Sequence, residues 1–396
     1  MMERVLIAAQ EMKFALGLVG YALLFAGGGY LLAAWLALRF FRKCSACPLS
    51  GALRGREPVS ILKPLYHDHP GLESCLRSFC TLDYPVYQVI FGVQDPDDPA
   101  HAIAKRLQDE YPSRDIQVVV SSRSIGLNPK INNLAGMLMA AAHPWLVIAD
   151  SDIQVPGDYL DHVAAPLASS QIGLVTCLYA GLPGPGIWSR IGALFINDWF
   201  APSVCVAWAL HSRAFAFGAT LALRRETLDR IGGFEVLANA LADDFRLGEQ
   251  VRKLGFDIEL ADIRVGTIVS ERTFRALWIH EIRWLRTIRF VNPLGFAFSW
   301  LTLGLPVLLA GFTLAGGSVL AGVVLLAALG CRLMLHYQSA QTLGVESEPF
   351  WMLLVRDFLT LGVWLASLMS RRVVWHDQHL QVQTGDLLDE HPGESK

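Results

Sequence analysis

Polar and apolar positions divide the chain into two apolar ends and an alternating middle. No charged residue occurs from Phe14 to Leu38, a stretch longer than the roughly 20 apolar residues a helix needs to cross a bilayer. It follows a tail at 1–13 and lacks the short core and small-residue cleavage site of a secretory signal, so it reads as a retained anchor. A basic linker, 39–56, comes next: Arg39, Arg42, Lys43, Arg54 and Arg56 precede the first acid, Glu57. The positive-inside rule puts that flank in the cytoplasm. A second uncharged run, Phe290 to Cys331, is too long for one span, and Ala315-Gly316-Gly317-Ser318 marks a turn between two spans in 291–331. A third apolar segment, 350–370, is interrupted by Arg356 and Asp357. Charge at membrane depth is tolerated when paired across helices or facing protein, so this segment reads as a fourth span or a re-entrant helix, with a tail at 371–396.

The middle, 57–270, has a different rhythm. Strands are expected at Val59–Leu62, Val89–Val93, Ile116–Val120 and Trp145–Ala149, and helices at Pro70–Cys80, Pro99–Glu110 and Ile131–Ala142. Strands alternating with helices predict an α/β fold: a mostly parallel sheet with helices on both faces. Ala193 to Leu210 is apolar and rich in Trp and Phe, which fits either a membrane contact or a buried core helix. Residues 271–290 place Phe274, Leu277, Trp278, Ile282, Leu285 and Ile288 on one helical stripe, with Arg272, Arg275, Arg283, Arg286 and Arg289 mostly off it. Running directly into the next apolar segment, it reads as an amphipathic helix in the membrane interface; the alternative is a helix packed on the sheet domain.

Composition adds two exclusions. The 396 residues are 53% hydrophobic and carry a net charge of −3, which gives no basis for nucleic-acid binding. Cys44 and Cys47 have metal-ligand spacing but no second pair, and seven cysteines in a cytoplasmic domain argue against a disulfide framework.

The chemistry gathers where strands end. Open α/β sheets bind ligands outside the carboxyl ends of their strands. One expected strand is followed by Asp95, Asp97 and Asp98, and another by Asp150 and Asp152. Side chains two apart on an extended chain point the same way, so Asp150 and Asp152 can converge on one divalent ion. Mg²⁺ takes one or two carboxylates and completes its shell with water and phosphate oxygens, which fits a nucleotide diphosphate. Lys130 opens a helix, a place suited to an anion, with Asn128, Asn132 and Asn133 as helix-capping residues beside it. Asp243 and Asp244 start another helix, where the helix dipole favours carboxylates; Asp243 fits a cap, leaving Asp244 free as a general base. Arg283 can bind phosphate bidentately and Trp284 can cover a ring.

In this order the motifs VSILKPL (59–65), LDYPVYQVIFGVQDPDDPA (82–100), NPKINNL (128–134), ADSD (149–152), ADDF (242–245) and HEIRW (280–284), with Arg224-Arg225 and IGGF (231–234), resemble the ceramide-glucosyltransferase-like family of membrane glycosyltransferases. The likeness runs from about Val59 to the C-terminal tail. It is strongest to the bacterial branch, the hopanoid-biosynthesis glycosyltransferases that act on bacteriohopanetetrol. The resemblance implies a GT-A nucleotide-sugar-binding fold, a UDP-sugar donor, a divalent metal (Mg²⁺ or Mn²⁺) and a lipid hydroxyl acceptor in the bilayer. It implies that Asp95 contacts the uracil end, that Asp150 and Asp152 hold metal and diphosphate, that Asp244 is the base, and that Arg283 and Trp284 help bind donor and acceptor. It further implies N-acetylglucosamine as the sugar and a multi-pass protein of the bacterial inner membrane. Two positions depart from the pattern: His280 stands where the motif begins with Gln or Arg, and Asp152 where animal relatives have glycine. A processive polysaccharide synthase shares the acidic and R-W pattern but generally needs more spans. A transporter is disfavoured by the large soluble insert, and a non-catalytic sugar-nucleotide binder by the presence of Asp244.

Overall fold

The computed structural model describes residues 2–45 and 56–370, together with three short strands between 372 and 390. Cys47 and Arg54 lie outside the described residues. Eight strands form one sheet: β1 (Val59–Pro64), β2 (Tyr87–Val93), β3 (Asp115–Val120), β4 (Trp145–Ile148), β5 (Ile153–Gln154), β6 (Ile172–Pro183), β7 (Leu221–Arg224) and β8 (Asp257–Val269). Their order is β3-β2-β1-β4-β7-β6-β8-β5. Only β7 and β5 oppose the others, so the sheet is mostly parallel, as expected. β1 and β2 are buried along their whole length, which suits near-continuous apolar runs covered on both faces. The one polar pair inside them, Ser60 and Gln88, sits in register and is joined by a 2.9 Å hydrogen bond.

The helices are α1 (Met2–Ser45), α2 (Leu72–Cys80), α3 (Pro99–Glu110), α4 (Pro129–Met137), α5 (Tyr159–Ala164), α6 (Ile187–Phe195), α7 (Ala201–Ala209), α8 (Arg225–Ile231), α9 (Asp243–Lys253), α10 (Phe274–Val291), α11 (Pro293–Phe298), α12 (Leu305–Leu314), α13 (Val319–Leu343) and α14 (Trp351–Ser367). One core packs α2, α3 and α5 on one sheet face through Leu76, Phe79, Leu107 and Tyr159. The other packs α4, α8 and α9 on the opposite face through Ile131, Leu134, Leu228, Leu247 and Val251. The layers are those of a GT-A domain. α4 stops at Met137 rather than Ala142, because Ala140 and Ala141 bond back only three residues, in turn geometry, before Pro144.

The apolar ends meet in a helical bundle. α1 packs with α7, α12 and α13 around Leu24, Leu31, Leu308 and Ala328. The expected tail, the anchor and the start of the linker form one continuous helix, Met2–Ser45, with no proline in it. Gly20 and Gly311 bring α1 and α12 into backbone contact: a Cβ on Gly20 would lie 2.6 Å from the Gly311 carbonyl, the close approach that small residues permit between apolar helices. The expected turn at 315–318 separates α12 from α13. The first expected span is broken, however: Pro293–Thr302 and Leu305–Leu314 meet at 69°, where Gly304 has φ 60° and Pro306 follows.

Among the described residues three helices are long and apolar enough to cross a membrane, or four if the bent pair is one span. α14, with 17 residues, is not among them. Its charges are used inside the protein. Arg356 is fully buried and forms a two-pronged pair with Glu281 of α10 (2.6 and 2.7 Å), while also donating to the Ile191 carbonyl of α6 (3.1 Å). Asp357 pairs with Arg332 of α13 (2.8 Å), which reaches Asp198 (2.9 Å) in the π-helical turn between α6 and α7. Asp198 belongs to the Ala193–Leu210 run, whose helical stretch, Ile187–Ala209, is mostly buried inside the protein and is also one of those three long apolar helices. α10 buries Leu277, Glu281 and Leu285 against its neighbours. The five described cysteines are unpaired.

Removing one partner of a buried ion pair typically costs about 3–5 kcal/mol. Arg356→Met is therefore expected to lower the thermal unfolding temperature of the detergent-extracted protein sharply. The double variant Arg356→Met/Glu281→Leu is expected to recover most of that loss, because no buried charge is left alone.

Candidate active site

The carboxyl ends of β1, β4 and β8 open into a cavity of about 530 Å³ that Asp150, Asp152, Asp243, Asp244, Lys130, Arg283 and Trp284 all line. Asp150 leaves β4 with its backbone N–H on the Gly218 carbonyl (3.1 Å). Its Oδ1 accepts from Lys130 Nζ at 2.8 Å, and the same ammonium reaches Asp243 Oδ2 at 2.9 Å. Lys130 thus ties the end of β4 to the start of α9. Burial pulls the Lys130 pKa down, but Asp150, Asp243 and Asp244 outweigh it and raise it, so the ammonium stays charged. Asp243 does not cap α9: the cap position is Ala242 and no side-chain cap bond forms, because the Asp243 carboxylate turns to Lys130 instead. Asn128 does cap α4, accepting from Ile131 N–H at 3.1 Å. Asn132 and Asn133 instead bond loop and strand backbone at Ile125 and Gly92.

Asp152 is pushed upward by burial and by neighbouring Asp150, against the 2.6 Å bond from the Thr267 hydroxyl and the nearby His69 and Lys63. Two neighbouring carboxylates at a strand end fit a divalent cation bound through one or two protein ligands. No third acid or histidine joins them as a metal-holding group among the described residues. Asp244 accepts from Gly218 N–H (2.9 Å) and from Phe245 N–H (2.7 Å). Burial, with Asp243 beside it, raises its pKa to about 6. Arg283, half-buried, lines the same cavity and forms no ion pair within 4 Å among the described residues; desolvation lowers its pKa, while Asp150, Glu271 and Asp152 oppose that. Trp284 lies 5.8 Å from Phe195, ring to ring. His280 lines the cavity and binds Glu271.

The other expected cluster divides. Gln94 reaches the cavity, whereas Asp95, Asp97 and Asp98 are not in its lining. Asp95 and Asp97 are exposed, and Asp95 Oδ1 accepts from Asp97 N–H at 2.9 Å. Asp98 is the N-cap of α3, accepting from Ala100 N–H at 2.8 Å and His67 N–H at 2.9 Å. Its role is structural, since both oxygens serve backbone donors.

Sequence reasoning missed three participants. Lys63, wholly buried at the end of β1, donates to the Asp150 carbonyl and, at 3.4 Å, to that of Ile153, with its ammonium 4.1 Å from the Phe79 ring centroid. Burial lowers its pKa to about 8. A lysine inside an otherwise apolar strand was the available signal. Gly218 bridges Asp150 and Asp244, and a Cβ there would lie 2.5 Å from Asp150 Oδ2. Glu271 carried no spacing signal; it reaches the cavity only because β8 ends beside it.

Residues 25–388 match glycosyl transferase family 21. The chain belongs to that family. Within curated proteins it is 27% identical over 253 residues to ceramide glucosyltransferase 3 of Caenorhabditis elegans, covering 61% of this chain and 54% of that one. It is 34% identical over 116 residues to a ceramide glucosyltransferase of Candida albicans, covering 26% of this chain and 21% of that one. The chain thus spans about half the length, or less, of these family 21 relatives. Among solved structures, a mannosyltransferase from Pyrobaculum calidifontis in complex with GDP-Man and Mn²⁺ aligns with TM-score 0.55 at 21% identity, over 89% of this chain and 99% of that one. That likeness supports the GT-A fold.

Gly218→Ala is expected to force its methyl into the Asp150 carboxylate and displace it from Lys130. Calorimetric titration with Mn²⁺ and UDP should show binding at least about ten-fold weaker, the equivalent of one lost charge-assisted hydrogen bond, with the fold retained by circular dichroism.

Proposed function

We propose that this chain is an inverting glycosyltransferase that moves a sugar from a UDP-sugar to a lipid hydroxyl. The observation that carries the proposal is one cavity with two chemistries. Asp150, Asp152, Asp244 and Arg283 share it with Phe195, Phe200, Phe217 and Ile288, and its apolar wall comes from α6 and α10, beside the membrane-type helices. A water-soluble donor and a bilayer-bound acceptor need such a meeting place.

Asp244, ionised above about pH 6, takes the proton of the acceptor hydroxyl as its oxygen attacks the anomeric carbon. Arg283, unpaired and facing acids, binds the diphosphate; Lys130 moves part of its charge from Asp150 toward the same oxygens. Asp150 and Asp152 would hold a Mg²⁺ or Mn²⁺ ion, which supplies Lewis-acid stabilisation of the leaving UDP. One displacement inverts the anomeric centre, so no carboxylate nucleophile is required. Trp284 and Phe195 offer ring faces to the sugar or the lipid. The nucleobase end is assigned to the β1–β2 rim, where Gln94 lines the cavity and Asp95 follows it.

The preferred substrates are UDP-N-acetylglucosamine and bacteriohopanetetrol, on the motif resemblance, in a bacterial inner membrane with the catalytic domain cytoplasmic beside Arg39 and Arg42. Glucose transfer to ceramide is the second reading, favoured by the names of the curated relatives. Membranes containing the protein, given each donor with each lipid and read by mass spectrometry with and without chelator, distinguish the two. An N-acetylhexosaminyl hopanoid lost on chelation is the expected product; a hexosyl ceramide would move the enzyme to the second reading.

Asp244→Asn is expected to abolish transfer while UDP-sugar affinity stays within about two-fold, since a carbonyl keeps the bond from Gly218. Retained activity in that variant would remove Asp244 from the base role. Because the carboxyl is raised, it is protonated below about pH 6, so kcat/KM should fall about ten-fold per pH unit below that value.

A further inference from the structure

Tyr179 stands on β6, in register with Val265 of β8, and its half-buried side chain lines the cavity. The mechanism above gives it no part. Its ring is held by two others: Phe200 lies 4.7 Å away and Phe217 meets it edge-on at 6.0 Å, centroid to centroid. Phe200 and Phe217 also touch one another at 5.1 Å, and Phe215 stacks on Phe217 at 5.4 Å. These four rings form part of the apolar wall. The phenol oxygen is the polar exception on that wall. It makes no hydrogen bond among the described residues, and it is not among the buried polar atoms that lack a partner. It is therefore open to the cavity and free to bond to a ligand there.

The chemistry of that ligand can be narrowed. A phenol has one proton to donate. Burial, with Asp244, Asp152 and Asp150 nearby, pushes its pKa well above the ordinary value, so the proton stays on. No carboxylate of the protein accepts it among the described residues. The accepting oxygen comes from a substrate, and it belongs either to the diphosphate or to the acceptor alcohol. Position separates the two. Lys130 and Arg283, the cations assigned to the diphosphate, make no hydrogen bond or cation–π contact with Tyr179. Asp244, the base that receives the acceptor's proton, acts on the phenol more strongly than Asp152 or Asp150. The ring itself is set among phenylalanines, where an alcohol on an apolar stem would lie.

An alcohol oxygen has one proton and two lone pairs. In the displacement the proton passes to Asp244, and one lone pair forms the bond to the anomeric carbon as the bond to UDP breaks. The second pair is left over. Resting on the reading of the cavity as the meeting place of a sugar nucleotide and a lipid alcohol, we propose that the Tyr179 hydroxyl donates a hydrogen bond to this second lone pair, while Phe200, Phe215 and Phe217 pack against the apolar stem that carries the alcohol. Tyr179 keeps its proton throughout, and no covalent bond to it forms or breaks. The hydrogen bond is made when the alcohol binds, and it gains nothing as the oxygen gives electron density to the anomeric carbon. Its effect therefore falls on acceptor binding and not on the chemical step.

Tyr179→Phe removes the oxygen and keeps the ring, so the unfolding temperature should match that of wild type. Both proteins are compared in detergent, saturated with Mn²⁺. UDP and UDP-N-acetylglucosamine are titrated by calorimetry, and kcat and KM are measured for bacteriohopanetetrol. The variant is expected to bind both nucleotides as wild type does. Its KM for the lipid is expected to rise roughly three- to ten-fold, the equivalent of one neutral hydrogen bond, with kcat within about two-fold of wild type. Weaker nucleotide binding would put the hydroxyl on the donor and overturn the acceptor contact. An unchanged KM, or a loss confined to kcat, would overturn it as well. If the wild-type protein glycosylates ceramide from UDP-glucose instead, the same comparison is made with that pair. A wild-type protein that binds no UDP, or that glycosylates neither lipid, would overturn the functional reading and the Tyr179 contact with it.

Discussion

Repulsion among carboxylates is the constraint around which this molecule is organised. Asp150, Asp152, Asp243 and Asp244 line one cavity, and in a medium of low polarity such charges repel strongly. They are held by cations placed in three directions. Lys63 lies beneath, bonding the backbone of the turn that carries Asp150 and Asp152. Lys130 lies between, joining Asp150 to Asp243. Arg283 lines the same cavity and forms no ion pair among the described residues. The negative charge is thus nearly balanced by the protein before any substrate arrives. A diphosphate brings fresh negative charge, which is why a free guanidinium and a pair of cation-ready carboxylates belong to the same cavity.

The membrane side is fastened to this site by the next residue along. His280 faces the cavity and Glu281 takes both prongs of Arg356 from α14. Turning α10 about its axis would break that buried pair, so the orientation of His280, Arg283 and Trp284 is fixed from behind. Arg356 also holds the Ile191 carbonyl of α6, and Arg332 holds Asp198 and Asp357 together. The apolar wall and the catalytic wall are therefore parts of one rigid assembly, although one is built from membrane-type helices and the other from a sheet.

Much of this was legible in the sequence, for a physical reason. Apolar strands that stop at an acid announce both the strand and the rim, which is how Asp150 and Asp152 were read, while Asp244 was read from the start of a helix; all three line one cavity. The reading failed where a residue's partner is distant in the chain. Asp98 resembles its neighbour Asp95 but caps α3, and Asp243 resembles a cap but pairs with Lys130. Gly218 looks like any glycine in an aromatic run until Asp150 and Asp244 are seen on either side of its peptide groups. The charges of α14 were expected to pair across helices or to face protein, and they do pair. Their partners on α10 and α13 could not be chosen by periodicity, which reports the face of a helix and not the face it meets.

The bundle joins segments from opposite ends of the sequence. Tyr21 meets Ser318 across 297 positions, and Arg42 meets Gln341 across 299. The catalytic domain is spelled out between them. At ordinary rates of synthesis that interval lasts roughly 15–60 s, during which the glycine-bearing face of α1 has no α12 to pack against. The long-range closure waits for the last helices to be made, because loop closure over so many residues is the slow step. Until α12 and α13 arrive, the first helix has only its own apolar surface to offer, and other apolar surfaces compete for it.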